Sequence, residues 1–287
     1  MTATVVGIVS DLRRYPVKSM LGEQLHTAAI TDTGVAGDRT YALVDDSTGK
    51  VISVKRPKLW GRMFELRAST DSNAVRISFP DGATFAIDDP ELTNRLSNFF
   101  GRSVSVATAP PPDAAYEEAW VGELKQDARP YLDTPTELVD GEEFIDGGAF
   151  MRVNKNFFDF APLHVVTTAS TRELAEHAPK SSFEPRRFRP NIVVDTGDHR
   201  FVESAWQGQR MSIGGVELKV GIPVPRCVMT TLAQDGLPAD RNVLRTISKY
   251  SALDFLGTGT RYPCLGIYAE VSNGGGKIAL GDEVTIG

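Results

Sequence analysis

Pro223-Val-Pro-Arg-Cys-Val-Met-Thr-Thr231 sets one cysteine, Cys227, behind an arginine and between two prolines and a Thr-Thr pair. The apolar, β-branched run 216–220 before it, opened by Gly214-Gly215, reads as a strand. Pro223 and Pro225 have no N–H for a ladder, so the chain is expected to leave the sheet there. Cys227 then stands where a strand gives way to a shaped loop. Arg226 beside it favours the thiolate, the form that ligates metals or attacks electrophiles. A buried, inert thiol is the other reading of the same residues.

The chain around this stretch has 287 residues, 41% hydrophobic and 24% charged, which is ample for a core and for one large or two modest domains. The net charge of -6 argues against a nucleic-acid partner, so any anion site must be built from a local concentration of Arg and Lys. Residues 1–9 lack the pattern of a signal peptide, and no stretch is apolar enough to span a bilayer. Two cysteines, Cys227 and Cys264, make a disulfide framework improbable. The four histidines, His26, His164, His177 and His199, show no paired spacing with them that would suit a cysteine-rich zinc cage. The expectation is a soluble cytoplasmic protein with no nucleic-acid or membrane partner.

The 26 glycines and 17 prolines punctuate many short apolar segments, which argues for a mainly β protein with a few helices, built as barrels or sandwiches. Strands are expected over 5–13, 25–30, 40–44, 51–54, 75–79, 84–87 and 104–107, then 192–194, 216–220, 265–271 and 284–286. Residues 45–50 and Pro80-Asp81-Gly82 read as hairpin turns. One helix is expected with Asp89 as cap, Pro90 at its first position, Leu92, Leu96 and Phe99 on one face, and Gly101 at its end. A second covers 171–177, with Ser170 and Glu173 as a capping box and Pro179 beyond it. Thr167 and Thr168 precede it, where backbone N–H groups and hydroxyls either meet an anion or simply cap the helix. A third covers 242–250 behind Asp240. Residues 109–138 read as a linker or surface excursion, and 137–160 as a loop over the body. Trp206 reads as core.

Three basic motifs stand out. Arg14-Tyr-Pro-Val-Lys18-Ser19 leaves the first strand through a proline turn, and Gly34-Val-Ala-Gly-Asp-Arg39 sets an arginine after a glycine-rich bend. Arg186-Arg-Phe-Arg189-Pro-Asn191 opens a strand with a strong local positive field. By themselves Lys18 and Arg39 read as surface charges. In an extended segment Arg189 and Asn191 share a side, and Arg187 is expected to face solvent.

Together these blocks resemble the MOSC family, in the two-domain type shared by the mitochondrial amidoxime-reducing component and its bacterial relatives. The matching blocks are Tyr15-Pro-Val-Lys-Ser19, Gly34-Val-Ala-Gly-Asp-Arg39, Thr167-Thr-Ala-Ser170, Phe188-Arg-Pro-Asn191 and Pro223–Thr231, in that order and over most of the chain. The resemblance implies a MOSC N-terminal β-barrel-like domain over 1–115 and a β-barrel MOSC domain over 116–287. It implies a pyranopterin molybdenum cofactor with Cys227 as metal ligand and catalytic residue. Lys18, Ser19, Arg39, Thr167, Thr168, Arg189, Asn191, Arg226 and Thr230 are its implied cofactor-binding residues. A Lys point charge, a Ser hydroxyl and an Arg fork suit a phosphate and polar pterin edges. The implied activity is reduction of N-hydroxylated small molecules. The electrons would come from separate electron-transfer proteins, since no flavin, haem or iron–sulfur domain is resembled. The alternative is a sulfur carrier or molybdenum cofactor chaperone using a Cys227 persulfide, and a third reading is a scaffold without metal. Met20 and Leu232-Ala-Gln-Asp-Gly236 depart from the family pattern.

Overall fold

Seven strands close into a barrel whose inward positions are filled by Val, Ile, Leu and Met. In chain order they are β1 (Thr4–Arg14), β2 (Leu163–Thr167), β3 (Ile192–Asp195), β4 (Arg210–Ile213), β5 (Val216–Pro225), β6 (Tyr262–Val271) and β7 (Glu283–Ile286). The computed structural model describes residues 3–71, 74–111, 136–139, 142–145, 156–197, 201–254, 259 and 261–287. Most of the expected linker at 109–138 and half of the expected loop at 137–160 lie outside the described residues, and Thr136–Val139 pairs with Glu142–Ile145 as a hairpin where only linker and loop were expected. Among the described residues there are four helices: α1 (Pro57–Trp60), α2 (Leu92–Phe100), α3 (Thr168–His177) and α4 (Arg241–Tyr250). None of them is long and apolar enough to cross a membrane.

The chain divides into two compact units, and they interleave. One takes 1–14, 24–36 and 161–287; the other takes 15–23 and 37–160. The first unit holds the barrel, in the order β2-β3-β1-β7-β4-β5-β6, with β6 pairing back onto β2. Closure leaves the ladder without open edges. All pairings in the ring are antiparallel except β2 with β3, which are parallel and joined through α3. Val9, Leu12, Val165, Ile192, Ile213, Leu218, Ile267 and Val284 meet in the core with Trp206, as expected for the tryptophan. Each such aliphatic side chain, fully buried, contributes about 1.5–3 kcal/mol. A short sheet of Thr27–Thr31, Gly34–Val35 and Gly276–Ala279 belongs to the same unit.

One expectation about β5 is corrected. The strand does not end before Pro223 but runs to Pro225, with Pro223 opposite Ile267 and Pro225 opposite Cys264. The register shifts between Val220 and Pro223 and again before Pro225. The pairing of β5 with β4 ends at Lys219, so the proline nitrogens, two residues apart on one edge, disrupt no ladder on that side. The chain leaves the sheet one residue later, at Arg226, whose N–H still donates to the Pro263 carbonyl at 2.7 Å.

The second unit carries a sheet of Ala42–Asp45, Lys50–Val51 and Val104–Ala107 and a meander of Arg67–Asp71, Ala74–Ser78 and Thr84–Ala86. The expected strand at 51–54 stops at Val51, and the chain then bends into α1 with Pro57 in its first turn. Arg67–Asp71 is a strand that the sequence pattern did not suggest. In α2 the left-handed Gly101 ends the helix as expected, but Asp89 does not cap it. Asp89 instead accepts the Glu91 N–H at 2.9 Å in a turn ahead of the helix.

Candidate functional site

Cys227 is the second residue after the bulged end of β5 and sits at the head of a 3-10 turn, Val228–Thr231. The Thr230 N–H and hydroxyl donate to the Cys227 carbonyl at 3.2 and 3.0 Å, and the Thr231 hydroxyl donates to Val228 at 2.8 Å. The Thr-Thr pair therefore shapes the loop beneath the thiol. Cys227 is half-buried, whereas Cys264 is buried and burial pushes its thiol up to about 12. A thiol so placed is inert.

Two arginines tie this loop to the Phe188–Asn191 segment. Arg226 donates to the Phe188 carbonyl at 2.8 Å, and its guanidinium lies 5.6 Å from the Phe188 ring centroid. Arg187 is the larger surprise. It was expected in solvent and is 1% exposed. Its guanidinium donates to the carbonyls of Ser182, Thr230, Leu232 and Pro238 at 3.0–3.2 Å. It fastens the segment that follows Cys227 from behind.

Arg189 is buried and left-handed, with φ 56° and ψ 46°. Asn191 is buried too, but both ends of its amide are used by backbone: Oδ1 accepts the His164 N–H at 3.2 Å, and Nδ2 donates to the Arg13 carbonyl at 3.3 Å. It stitches β2 to β1 across β3.

At the other end of β2 the helix cap differs from expectation. Thr167, not Ser170, is the N-cap of α3, accepting the Ser170 N–H at 3.2 Å. Ser170 lies inside the first turn, and its hydroxyl donates to Glu203 at 2.5 Å. Thr167 donates to the same carboxylate at 2.9 Å, and the Gly266 N–H donates to its other oxygen at 3.2 Å. Burial raises the Glu203 carboxyl above its ordinary value against these three hydrogen bonds. Gly266 takes φ 82°, and a Cβ there would meet the Val165 carbonyl oxygen at 2.6 Å, so only glycine fits. Thr168 is less buried and donates to Asp195 at 2.7 Å. Glu203-Ser-Ala-Trp206 is a family-like block in the sequence, but no role for Glu203 was legible there.

In the second unit Lys18, Ser19 and Arg39 come together in one region. The Lys18 N–H donates to the Tyr41 carbonyl at 2.8 Å, and the Arg39 N–H donates to Tyr15 at 2.8 Å. Buried Asp38 accepts the Tyr15 N–H at 2.7 Å and pairs with the Arg39 guanidinium. That guanidinium lies 5.1 Å from the Tyr15 ring centroid and 5.8 Å from that of Phe158. The Ser19 hydroxyl accepts the Val54 N–H at 3.2 Å. Sequence reasoning missed two further members, Lys55 and Asp159. Lys18 and Lys55 both pair with the Asp159 carboxylate. Burial, with the neighbouring charges of Lys55 and Arg39, lowers the Lys18 ammonium despite Asp159. Burial opposes the Asp159 charge, but Lys18 and Lys55 hold the carboxyl well below the usual range.

Backbone strain marks the same positions. Among the described residues, four that are not glycine have positive φ: Ser19 at 64°, Arg39 at 48°, Arg189 at 56° and Asp235 at 49°. Asp235 is explained by its turn, because Asp235-Gly236 joins the bridged pair Gln234 and Leu237. The other three belong to the motifs already picked out by chemistry. Arg189 also precedes Pro190, which biases its backbone toward extended forms. Such conformations are held at about 1–3 kcal/mol each and gather at functional sites. No cluster of three or more His, Cys, Asp or Glu able to hold a metal ion occurs among the described residues.

One unit is a closed barrel with a half-buried thiol on a braced loop and a strained, buried arginine, and the other has a strained arginine and a buried lysine of its own. Residues 6–123 match the MOSC N-terminal beta barrel domain and residues 153–285 match the MOSC domain, so the chain belongs to the two-domain MOSC proteins. Mitochondrial amidoxime reducing component 2 of Homo sapiens is 28% identical over 300 residues, covering 97% of this chain and 83% of that one. The protein of the same name from Bos taurus is 27% identical over 297 residues, with the same coverage. Mitochondrial amidoxime-reducing component 1 of Homo sapiens is 25% identical over 306 residues, covering 97% and 82%.

Proposed function

We propose that this chain is a molybdenum-cofactor oxidoreductase that reduces N-hydroxylated small molecules with electrons from a separate donor protein. The single observation that carries the reading is the contrast between its two thiols: Cys227 is half-buried on a braced loop and Cys264 is sealed. The donor set suits the cofactor. A thiolate is a soft ligand for the metal, and ammonium and guanidinium groups suit a phosphate and polar ring edges. Cys227 would hold the metal, while Lys18, Ser19, Arg39 and Arg189 would hold the organic part. Thr167, Thr168, Asn191, Arg226 and Thr230, like Lys18, Ser19 and Arg39, each make a hydrogen bond within their own fold and would complete the cofactor-binding set. When bound, the cofactor supplies two-electron redox chemistry. The N-hydroxylated substrate class follows the names of the relatives, which are amidoxime-reducing components.

The test is metal and pterin content of protein purified from a host that makes the cofactor, followed by turnover of an amidoxime with a chemical reductant. We expect close to one molybdenum per chain and metal-dependent amidine formation. Folded protein without molybdenum or pterin would overturn the reading. Protein that loads cofactor, reduces no N-hydroxylated compound and releases cyanolysable sulfur from Cys227 would move the assignment to a sulfur carrier.

A further inference from the structure

Lys18 and Lys55 lie 37 residues apart in sequence, yet they converge on one carboxylate. Lys18 Nζ pairs with one oxygen of Asp159 and donates to the Phe157 carbonyl at 3.0 Å; Lys55 Nζ stands 3.3 Å from the other oxygen. The lysine side chains are 5% and 9% exposed, while that of Asp159 is 36% exposed. The cations are therefore shielded from water and the carboxylate is the part of the cluster that solvent reaches. Charge from Arg39 acts on both Lys18 and Asp159.

The backbone carrying Asp159 is firmly held. Phe157 and Phe158 are buried, and the Phe157 N–H donates to the Arg39 carbonyl at 2.9 Å. Only the Asp159 side chain need turn for its carboxylate to reach water. Two buried ammonium groups in like-charge proximity are costly to maintain. Here they are arranged around a two-oxygen anion in the way they would grip one oxygen pair of a phosphate.

We propose that Lys18, Lys55 and Arg39 form a phosphate-class anion site in which the Asp159 carboxylate is a resident counter-ion, displaced when the ligand's anionic group enters. Lys55 is thereby a further binding residue, and Asp159 competes with the ligand. The identity of that ligand as the cofactor rests on the function proposed above, whereas the anion site rests on the lysine pair alone.

The experiment uses the full chain purified from a host that cannot make the cofactor, with inorganic phosphate as probe at pH 6.5 and low salt, read by titration calorimetry. Removing the competing charge in Asp159→Asn should tighten phosphate binding about tenfold, because a carboxylate beside the site repels an incoming anion. Lys55→Met should weaken it about tenfold, and circular dichroism checks that both variants are folded. Asp159→Asn binding phosphate no tighter than wild type overturns the counter-ion role. Unchanged affinity in Lys55→Met overturns the site, and that variant decides alone if Asp159→Asn does not fold. Cofactor content is measured separately on protein from a competent host. A chain that gains phosphate affinity as expected but never carries molybdenum keeps the anion site and loses the proposed function. A chain that carries molybdenum while Asp159→Asn gains nothing keeps the function and loses the counter-ion.

Discussion

Replacing Arg187 with alanine removes one guanidinium from four backbone carbonyls, those of Ser182, Thr230, Leu232 and Pro238. A hydrogen bond to a charged group contributes about 1.5–3 kcal/mol, and such contributions do not add. The site is sealed, with Arg187 1% exposed, so the carbonyls it leaves gain little water. Breaking a buried polar arrangement of this kind typically destabilises by about 3–5 kcal/mol. At about 2–4 °C per kcal/mol for a unit of this size, the midpoint of thermal unfolding should fall by about 10 °C. Arg186 is the internal control. It is 30% exposed and paired with Glu184 and Asp235, so Arg186→Ala should change stability by about 1 kcal/mol or less. Thermal unfolding followed by circular dichroism separates the two. A second readout is local: with Thr230 and Leu232 released, Cys227 should react faster with a thiol reagent in Arg187→Ala than in Arg186→Ala. Equal midpoints and equal Cys227 reactivity in the two variants would refute the idea that Arg187 braces the cysteine loop.

Cys227→Ser should keep the fold but lose molybdenum-dependent reduction, while Cys264→Ser keeps most of it; activity and metal content measured together decide this. Arg189→Gly should lose cofactor as completely as Arg189→Ala yet be about 1 kcal/mol more stable, because glycine accepts positive φ and alanine does not; denaturant midpoints check the difference. Glu203 has a raised carboxyl, so folding favours its neutral form. Its contribution is complete below the ordinary value of 4.5 and is lost as pH climbs through the higher folded value. Glu203→Gln should flatten the fall in stability between 4.5 and that higher value, and unfolding midpoints that decline there as steeply as wild type would count against it.

What could be read from the sequence was local. The cysteine at a strand end, the Asp240 cap and the Gly101 stop all depend on residues within a few positions of one another. Pro223 and Pro225 misled because a proline matters only on the side where a partner strand pairs, and β4 has already ended there. The burial of Arg187 was hidden for a different reason. Its partners are carbonyls up to 51 residues away, and backbone carbonyls leave no trace in residue identity. Lys55 and Asp159 escaped because they meet across more than a hundred residues, and neither stands in a motif that chemistry alone would select.

The strained residues supply an argument that does not depend on motif likeness. Neither an arginine after Gly-Asp nor an arginine before proline chooses the left-handed region by itself, so the surrounding structure must impose it. It does so at each place. Arg39 is held at both ends of its peptide, with its N–H on Tyr15 and its carbonyl accepting from Phe157. Ser19 is fixed through its hydroxyl by the Val54 N–H. Arg189 closes the 3-10 turn Pro185–Phe188 with its N–H on Arg186, and Asn191 pins the next turn of chain to β1 and β2. At a left-handed residue the Cβ leaves the backbone in a direction that no rotamer change in a normal helix or strand reproduces. The strain therefore aims a serine and two arginines, and a free surface charge would gain nothing from being aimed. Lys18, in the same unit as Ser19 and Arg39, is buried as well, and an ammonium kept from water is already stripped of the hydration that would compete with an anion.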